Sequence, residues 1–157
     1  MRTIALAACI ALAIAPGLAS ARDIPAAGMT AEEVLAFLQA HGLNARIETD
    51  KGDLHVQVTS VKDPNFGVYL FDCKDGRCGA LQFAAGFNTH GADAPGSLND
   101  WNHNKRWGRS YSDSVNDPWV EMDVDITPGG TYELLEDELS TWNKVVGDFV
   151  EYIHFTK

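Results

Sequence analysis

The sequence predicts a two-layer α+β sandwich, an antiparallel sheet covered on one face by helices. Three observations carry that expectation. Short runs that alternate apolar and polar residues occur in pairs around turn-forming residues, as in hairpins. A segment near the start and another at the end change to helical spacing, each opened by a capping threonine. From Met29 onward no repeat, low-complexity tract or linker interrupts the pattern. The predicted order is α-β-β-β-β-α-β-β-α. Hairpins imply antiparallel pairing, and the helices must bury the apolar side of the sheet.

The elements follow in chain order. Thr30-Ala31-Glu32-Glu33 is a capping box, worth about 1 kcal/mol at the cap. The helix it opens carries Val34, Leu35, Phe37 and Leu38 and stops at Gly42. Ala45–Thr49 and Leu54–Ser60 read as strands around Asp50-Lys51-Gly52-Asp53. In the second, Leu54, Val56 and Val58 face one way, and His55, Gln57 and Thr59 the other. Gly67–Cys73 and Cys78–Phe83 form the next hairpin, around a D-G turn. Gly86–Gly96 is a loop, and Ser97 caps a short helix bearing Leu98 and Trp101. Trp107–Asp113 and Trp119–Ile126 make the last hairpin, turned by Asn116-Asp117-Pro118. Thr131 caps a long helix reaching about Ile153, where Leu135, Leu139, Trp142, Val146, Phe149 and Ile153 recur in steps of four and three.

Ahead of this domain lies a targeting segment. Arg2 starts it, Ile4–Ala15 is an apolar run too short to span a bilayer, and Ala19-Ser20-Ala21 is an A-x-A cleavage site. The expected organisation is a signal peptide at 1–21, a flexible leader at 22–28 and one domain at 29–157. The expected location is the periplasm, with no stable membrane anchor after cleavage. Leu6-Ala7-Ala8-Cys9 resembles a lipobox, but the apolar region ahead of Cys9 is short and continues past it. A net charge of −10 repels nucleic acid and anionic lipid surfaces. The charge makes a DNA-binding regulator a poor reading, and solubility is the plainer meaning of the charge.

Cys73 and Cys78 remain after cleavage, where oxidation is expected. They bracket a hairpin turn, and facing strand positions have Cα separations that a disulfide can bridge. A redox C-x-x-C needs two intervening residues and here there are four. A zinc site would need two further ligands, and no second cysteine pair follows. No cofactor and no metal site is predicted.

The candidate site is the outer face of the sheet. Glu121, Asp123 and Asp125 alternate with Val120, Met122, Val124 and Ile126, so the carboxylates share the face opposite the core. Same-face neighbours are about 6–7 Å apart, too far for one ion to reach all three easily. Pairing across the hairpin is the better account. A turn centred near Asn116 places Arg109 opposite Asp123 and Tyr111 opposite Glu121. Trp107, Arg109 and Tyr111 then point outward, while Gly108, Ser110 and Ser112 let a helix approach. Pairing Cys73 with Cys78 aligns Val68 and Leu70 with Phe83 and Leu81 on the core side. It sets Tyr69 and Phe71 against Gln82 and Ala80 on the outer side. Aromatic rings ringed by charge suit a protein or peptide partner or a homodimer contact; loops curled over the rings are the structural alternative. The expected binding residues are Trp107, Arg109, Tyr111, Glu121, Asp123, Tyr69 and Phe71.

Catalytic residues are not predicted. The chain has no G-x-S-x-G elbow, P-loop or G-x-G-x-x-G, and its five histidines fall at no metal-ligand spacing. His90 and His103, with Asp93 or Asp100, could form a two-histidine site; ordinary exposed histidines explain them as well. The features W-N-x-x-x-R-W-G-R at Trp101–Arg109 and N-D-P-x-x-E-M-D-V at Asn116–Val124 resemble the YbjN family, described as bacterial sensory-transduction regulators. The resemblance extends over Met29–Phe155. It implies a fold like that of type III secretion chaperones, and it supplies no reaction and no catalytic residues. The reading is therefore a non-enzymatic periplasmic binding or chaperone-like module, a sensory or regulatory accessory. A metal or small-molecule sensor is the first alternative and a hydrolase the second.

Overall fold

A computed structural model describes residues 21–50, 53–89 and 97–156. Residues 1–20 of the signal segment lie outside the described residues, as do His90 and Asp93. The elements run α1 (Ala31–Ala40), β1 (Asn44–Asp50), β2 (Asp53–Thr59), β3 (Phe66–Lys74), β4 (Arg77–Gly86), α2 (Leu98–Asn104), β5 (Arg109–Ser112), β6 (Pro118–Asp125) and α3 (Tyr132–Tyr152). The six strands form one antiparallel sheet in the order β1-β2-β3-β4-β6-β5. The two-layer α+β architecture and the predicted element order are both present.

The core lies between one sheet face and the helices. From the sheet come Val56, Val58, Val68, Leu81, Phe83, Val120, Met122 and Val124; from the helices come Val34, Phe37, Leu38, Trp101, Leu139 and Phe149. Every apolar residue predicted along α3 is buried, because steps of four and three keep a residue on one helix face. Trp142 is its centre, with its ring 5.7 Å from both Phe66 and Phe83. Both halves of the capping box of α1 are made: Thr30 Oγ1 accepts from the Glu33 amide, and Glu33 Oε2 accepts from the Thr30 amide. Thr131 caps α3 by accepting from the Leu134 amide. Ser97 stands at the start of α2 without a side-chain cap bond; its carbonyl accepts from the Tyr152 hydroxyl at 2.8 Å.

The stretch expected to be a flexible leader is held. Ile24 is buried in the core, its amide donates to the Gly130 carbonyl, and the Arg22 carbonyl accepts from the Tyr132 amide. The Arg22 amide donates to the Glu133 carboxylate at 3.0 and 3.2 Å, and its guanidinium covers the Tyr132 ring. Further along, Met29 and Cys78 exchange both backbone hydrogen bonds.

Cys73 and Cys78 are joined by a disulfide at directly opposed positions of β3 and β4. The pairing of this hairpin follows the predicted register: Tyr69 faces Gln82, Phe71 faces Ala80, and Val68 faces Phe83.

Candidate functional site

The last hairpin differs from the expected register. Arg109 lies opposite Glu121, not Asp123, and Tyr111 lies opposite Trp119, not Glu121. The cause is the turn. The Asp113 carboxylate accepts from the amides of Val115 and Asp117 at 2.9 Å each, and the Asp113 amide donates to the Asp117 carbonyl. Asn116 takes a positive φ of 69°. These bonds close a loop from Asp113 to Asp117 and leave Pro118 as the first residue of β6, a strand position proline tolerates. The loop is centred on Val115. Moving the centre by one residue shifts the pairing by two, so every side chain keeps its face while its partner changes.

Three side chains meet as a result. Arg109 Nε and Nη2 donate to Glu121 Oε2 at 3.0 and 2.7 Å, and the Tyr111 hydroxyl donates to Glu121 Oε1 at 2.7 Å. Glu121 is 8% exposed, so both carboxylate oxygens are satisfied where water cannot serve them. Burial, then the hydrogen bond to Glu121 and its charge, push the Tyr111 hydroxyl far above the ordinary tyrosine range, with Arg109 pulling it back. The same pairing with Glu121 raises the Arg109 guanidinium. Asp123 is exposed and accepts from Gln82 Nε2 at 2.7 Å across the β4–β6 pair. The carboxylate stripe is thus divided between partners on both neighbouring strands. Among the described residues, no group of three or more His, Cys, Asp and Glu side chains is placed to hold a metal ion.

The outer face carries a cleft of about 480 Å³. Tyr69, Phe71, Tyr111 and Glu121, four of the expected residues, line it, together with Asp53, Leu54, Cys73, Gln82, Ala84 and Trp119. A second cleft of about 290 Å³ adjoins it across Tyr69, Ala84 and Trp119, and reaches Gln57, Gly67, Asn88 and Asp117. The rings stand in two stacks. Tyr69 lies on His55 with centroids 4.7 Å apart, and Tyr111 lies on Trp119 at 6.3 Å. His55 is buried on this outer face rather than exposed. Burial first, then the charges of Asp50, Asp53, Glu121 and Glu48, raise the Tyr69 hydroxyl.

Two strand glycines set the tilt of these rings. A Cβ on Gly86 would come within 2.4 Å of the Trp119 ring, and one on Gly67 within 2.8 Å of the Tyr69 ring. Each ring therefore lies down on a bare backbone, and Ala84 is left as the floor between them. Trp119, Asp53 and the two glycines were not singled out from sequence. Trp119 shares the parity of Glu121, which is the signal that places it outward. A glycine inside a strand is itself a mark of close approach.

Trp107 does not join this face. It has φ 51° and Gly108 has φ 70°, so the alternation assumed from Trp107 onward begins only at Arg109. Trp107 lies instead beside the helices, lining a small cavity with Trp101, Lys105, Lys144, Val145 and Asp148. Its ring is 4.5 Å from the Arg106 guanidinium. The expected close approach of a helix is made at Gly108, where a Cβ would meet Val145 of α3 at 2.6 Å. Ser110, also small, is buried and bonded to α2 through Leu98 and Asn102.

The fold and face together define an α+β sandwich with one helix-covered side and one aromatic side that is open among the described residues. A family model named YbjN, described as "Putative bacterial sensory transduction regulator", matches residues 30–155. The chain belongs to the YbjN family. No curated protein and no solved structure matches it.

Proposed function

We propose that this protein is a non-enzymatic binding module of the periplasm, a sensory or chaperone-like accessory that holds a protein or peptide partner on the outer sheet face. The observation that carries the reading is the pair of joined clefts on a sheet side that no helix covers among the described residues, walled by Tyr69, Tyr111 and Trp119. Aromatic rings in a polar rim are the residues binding surfaces concentrate. The polar groups of the cleft are turned on one another: Glu121 is bonded to Arg109 and Tyr111, and Gln82 to Asp123. That arrangement stiffens a surface and aims no base at a nucleophile. The regulatory description of the family fits it. The apolar run and A-x-A site at the N-terminus, with a disulfide in the domain, support export.

A photo-crosslinking residue at Phe71 in the cleft, beside the same residue at Lys144 on the helix layer, tests this. Cross-linked species should arise from Phe71, not Lys144, and Tyr111→Ala should remove them by weakening binding by more than about 1 kcal/mol. Equal capture at both positions would sink the reading.

A further inference from the structure

We propose that the outer cleft takes the basic side chain, arginine or lysine, of an extended peptide segment of the partner. The inference rests on the binding reading above and adds the chemistry of the occupant. Its first support is the walls. Tyr69, Tyr111 and Trp119 line the cleft, and aromatic walls of this kind suit a guanidinium or ammonium group whose apolar stem lies along them.

The second support is charge. Asp53 lines the cleft, Asp50 is exposed at the end of the neighbouring strand, and Glu121 forms part of the wall. The Tyr69 hydroxyl feels Asp50, Asp53, Glu121 and Glu48 together. Arg109 is bonded to Glu121 and Arg46 to Glu48, while Asp50 and Asp53 form no ion pair among the described residues. A cation entering the cleft therefore meets the carboxylate of Asp53, with Asp50 paired across from it, and an anion meets repulsion.

The third support is shape. The two clefts join through Tyr69, Ala84 and Trp119, so the depression continues past the space one side chain fills. An extended chain laid along the strands fits that outline better than a compact molecule. A second copy of this protein fits it poorly, because an isologous contact would set these carboxylates against their own equivalents in a chain of net charge −10.

The test uses the full chain with its disulfide intact, labelled with nitrogen-15. Three end-blocked hexapeptides differ only in a central residue flanked by leucines: arginine, its neutral isostere citrulline, or glutamate. The arginine peptide should shift the amides of Asp53, Tyr69 and Gln82 saturably and bind at least tenfold tighter than the citrulline peptide. The glutamate peptide should not bind. Raising salt should weaken the arginine peptide and leave the citrulline peptide unchanged. The double variant Asp50→Asn with Asp53→Asn should lower arginine-peptide affinity at least fivefold and leave citrulline binding as it was. Equal binding of arginine and citrulline peptides at the cleft would overturn the basic-residue assignment while the face remains a binding surface. Phenethylammonium binding as tightly as the arginine peptide would overturn the peptide and leave a free organic cation as occupant. If no probe shifts the cleft and Phe71 cross-links nothing, both readings fall together.

Discussion

On the helix side of the sheet, Val56, Val68, Phe83, Val120 and Met122 meet Trp142, Phe149 and their neighbours through apolar contact. On the other side of the same strands, Tyr69, Glu121, Tyr111 and Trp119 are held by hydrogen bonds, ring stacks and two bare glycine backbones. The covered side owes its stability to area removed from water, which is non-directional and forgiving of shape. The open side owes its form to a few directional contacts, each with one geometry. Even the one buried side-chain donor left without a partner among the described residues, Trp142 Nε1, sits on the covered side, where packing outweighs it. Contact area builds the domain, and directed bonds shape the surface it presents.

Mutations can break that contrast. Phe83→Ala should have the largest effect, about 3–5 kcal/mol in chemical denaturation, because a buried ring between Phe66 and Trp142 leaves a cavity that the sheet cannot close. A loss under 1 kcal/mol would mean the covered side is not a close-packed core. Arg109→Ala comes next, at about 1–3 kcal/mol, more than a surface ion pair is worth. Arg109 is itself exposed, but Glu121 is not, and its carboxylate would lose two of its three donors. Arg109→Lys should recover only part, since a lysine cannot reproduce the fork. If Arg109→Ala were silent, the buried carboxylate would have found water, and the open side would be softer than drawn. Gly86→Ala should be smaller, on the order of 1 kcal/mol, as the Trp119 ring moves off the new methyl. Its signature is optical: near-ultraviolet dichroism should change with little loss of helix, and an unchanged spectrum would count against the ring lying on that backbone.

The same contrast explains what was legible in the sequence. Binary alternation fixes which face a residue takes, so the core residues of β2, β3, β4 and β6 could be read directly, as could the helical stripe of α3. Partners across a strand pair depend on where the turn closes. The D-G turn at Asp75-Gly76, tied by cysteines, has one reading, and its register matched. The Asp113–Asp117 loop is closed by a side chain, Asp113, whose hydrogen bonds leave no periodic trace, and the partners of Arg109 and Tyr111 were displaced by two residues. Trp107 was misplaced because alternation holds only while the backbone is extended, and two successive positive φ angles end it. The cleft was half legible: Tyr69, Phe71, Tyr111 and Glu121 were in hand, but a concavity needs absent side chains, and Gly67 and Gly86 contribute by having none.

The hydrogen bonds of the Arg22 amide at the start of the domain bear on the proposed export. The Arg22 amide donates to both oxygens of Glu133, at the first turn of α3. The Glu133 carboxyl is held below its ordinary range by its own backbone amide first, with burial opposing, and then by the Arg22 amide, Thr131 and the Arg22 charge. A group so depressed stabilises the fold above its unfolded pKa and loses that contribution as pH falls through the folded one. Cutting after Ala21 would turn that same nitrogen into an ammonium group, charged at neutral pH. Glu133 is already in place to receive it. Thermal melting of a chain beginning at Arg22, with its amine free or acetylated, should show Glu133→Gln costing more in the free form; an equal cost would remove the idea. The severed end would then serve as a rivet, closed by the act of maturation itself.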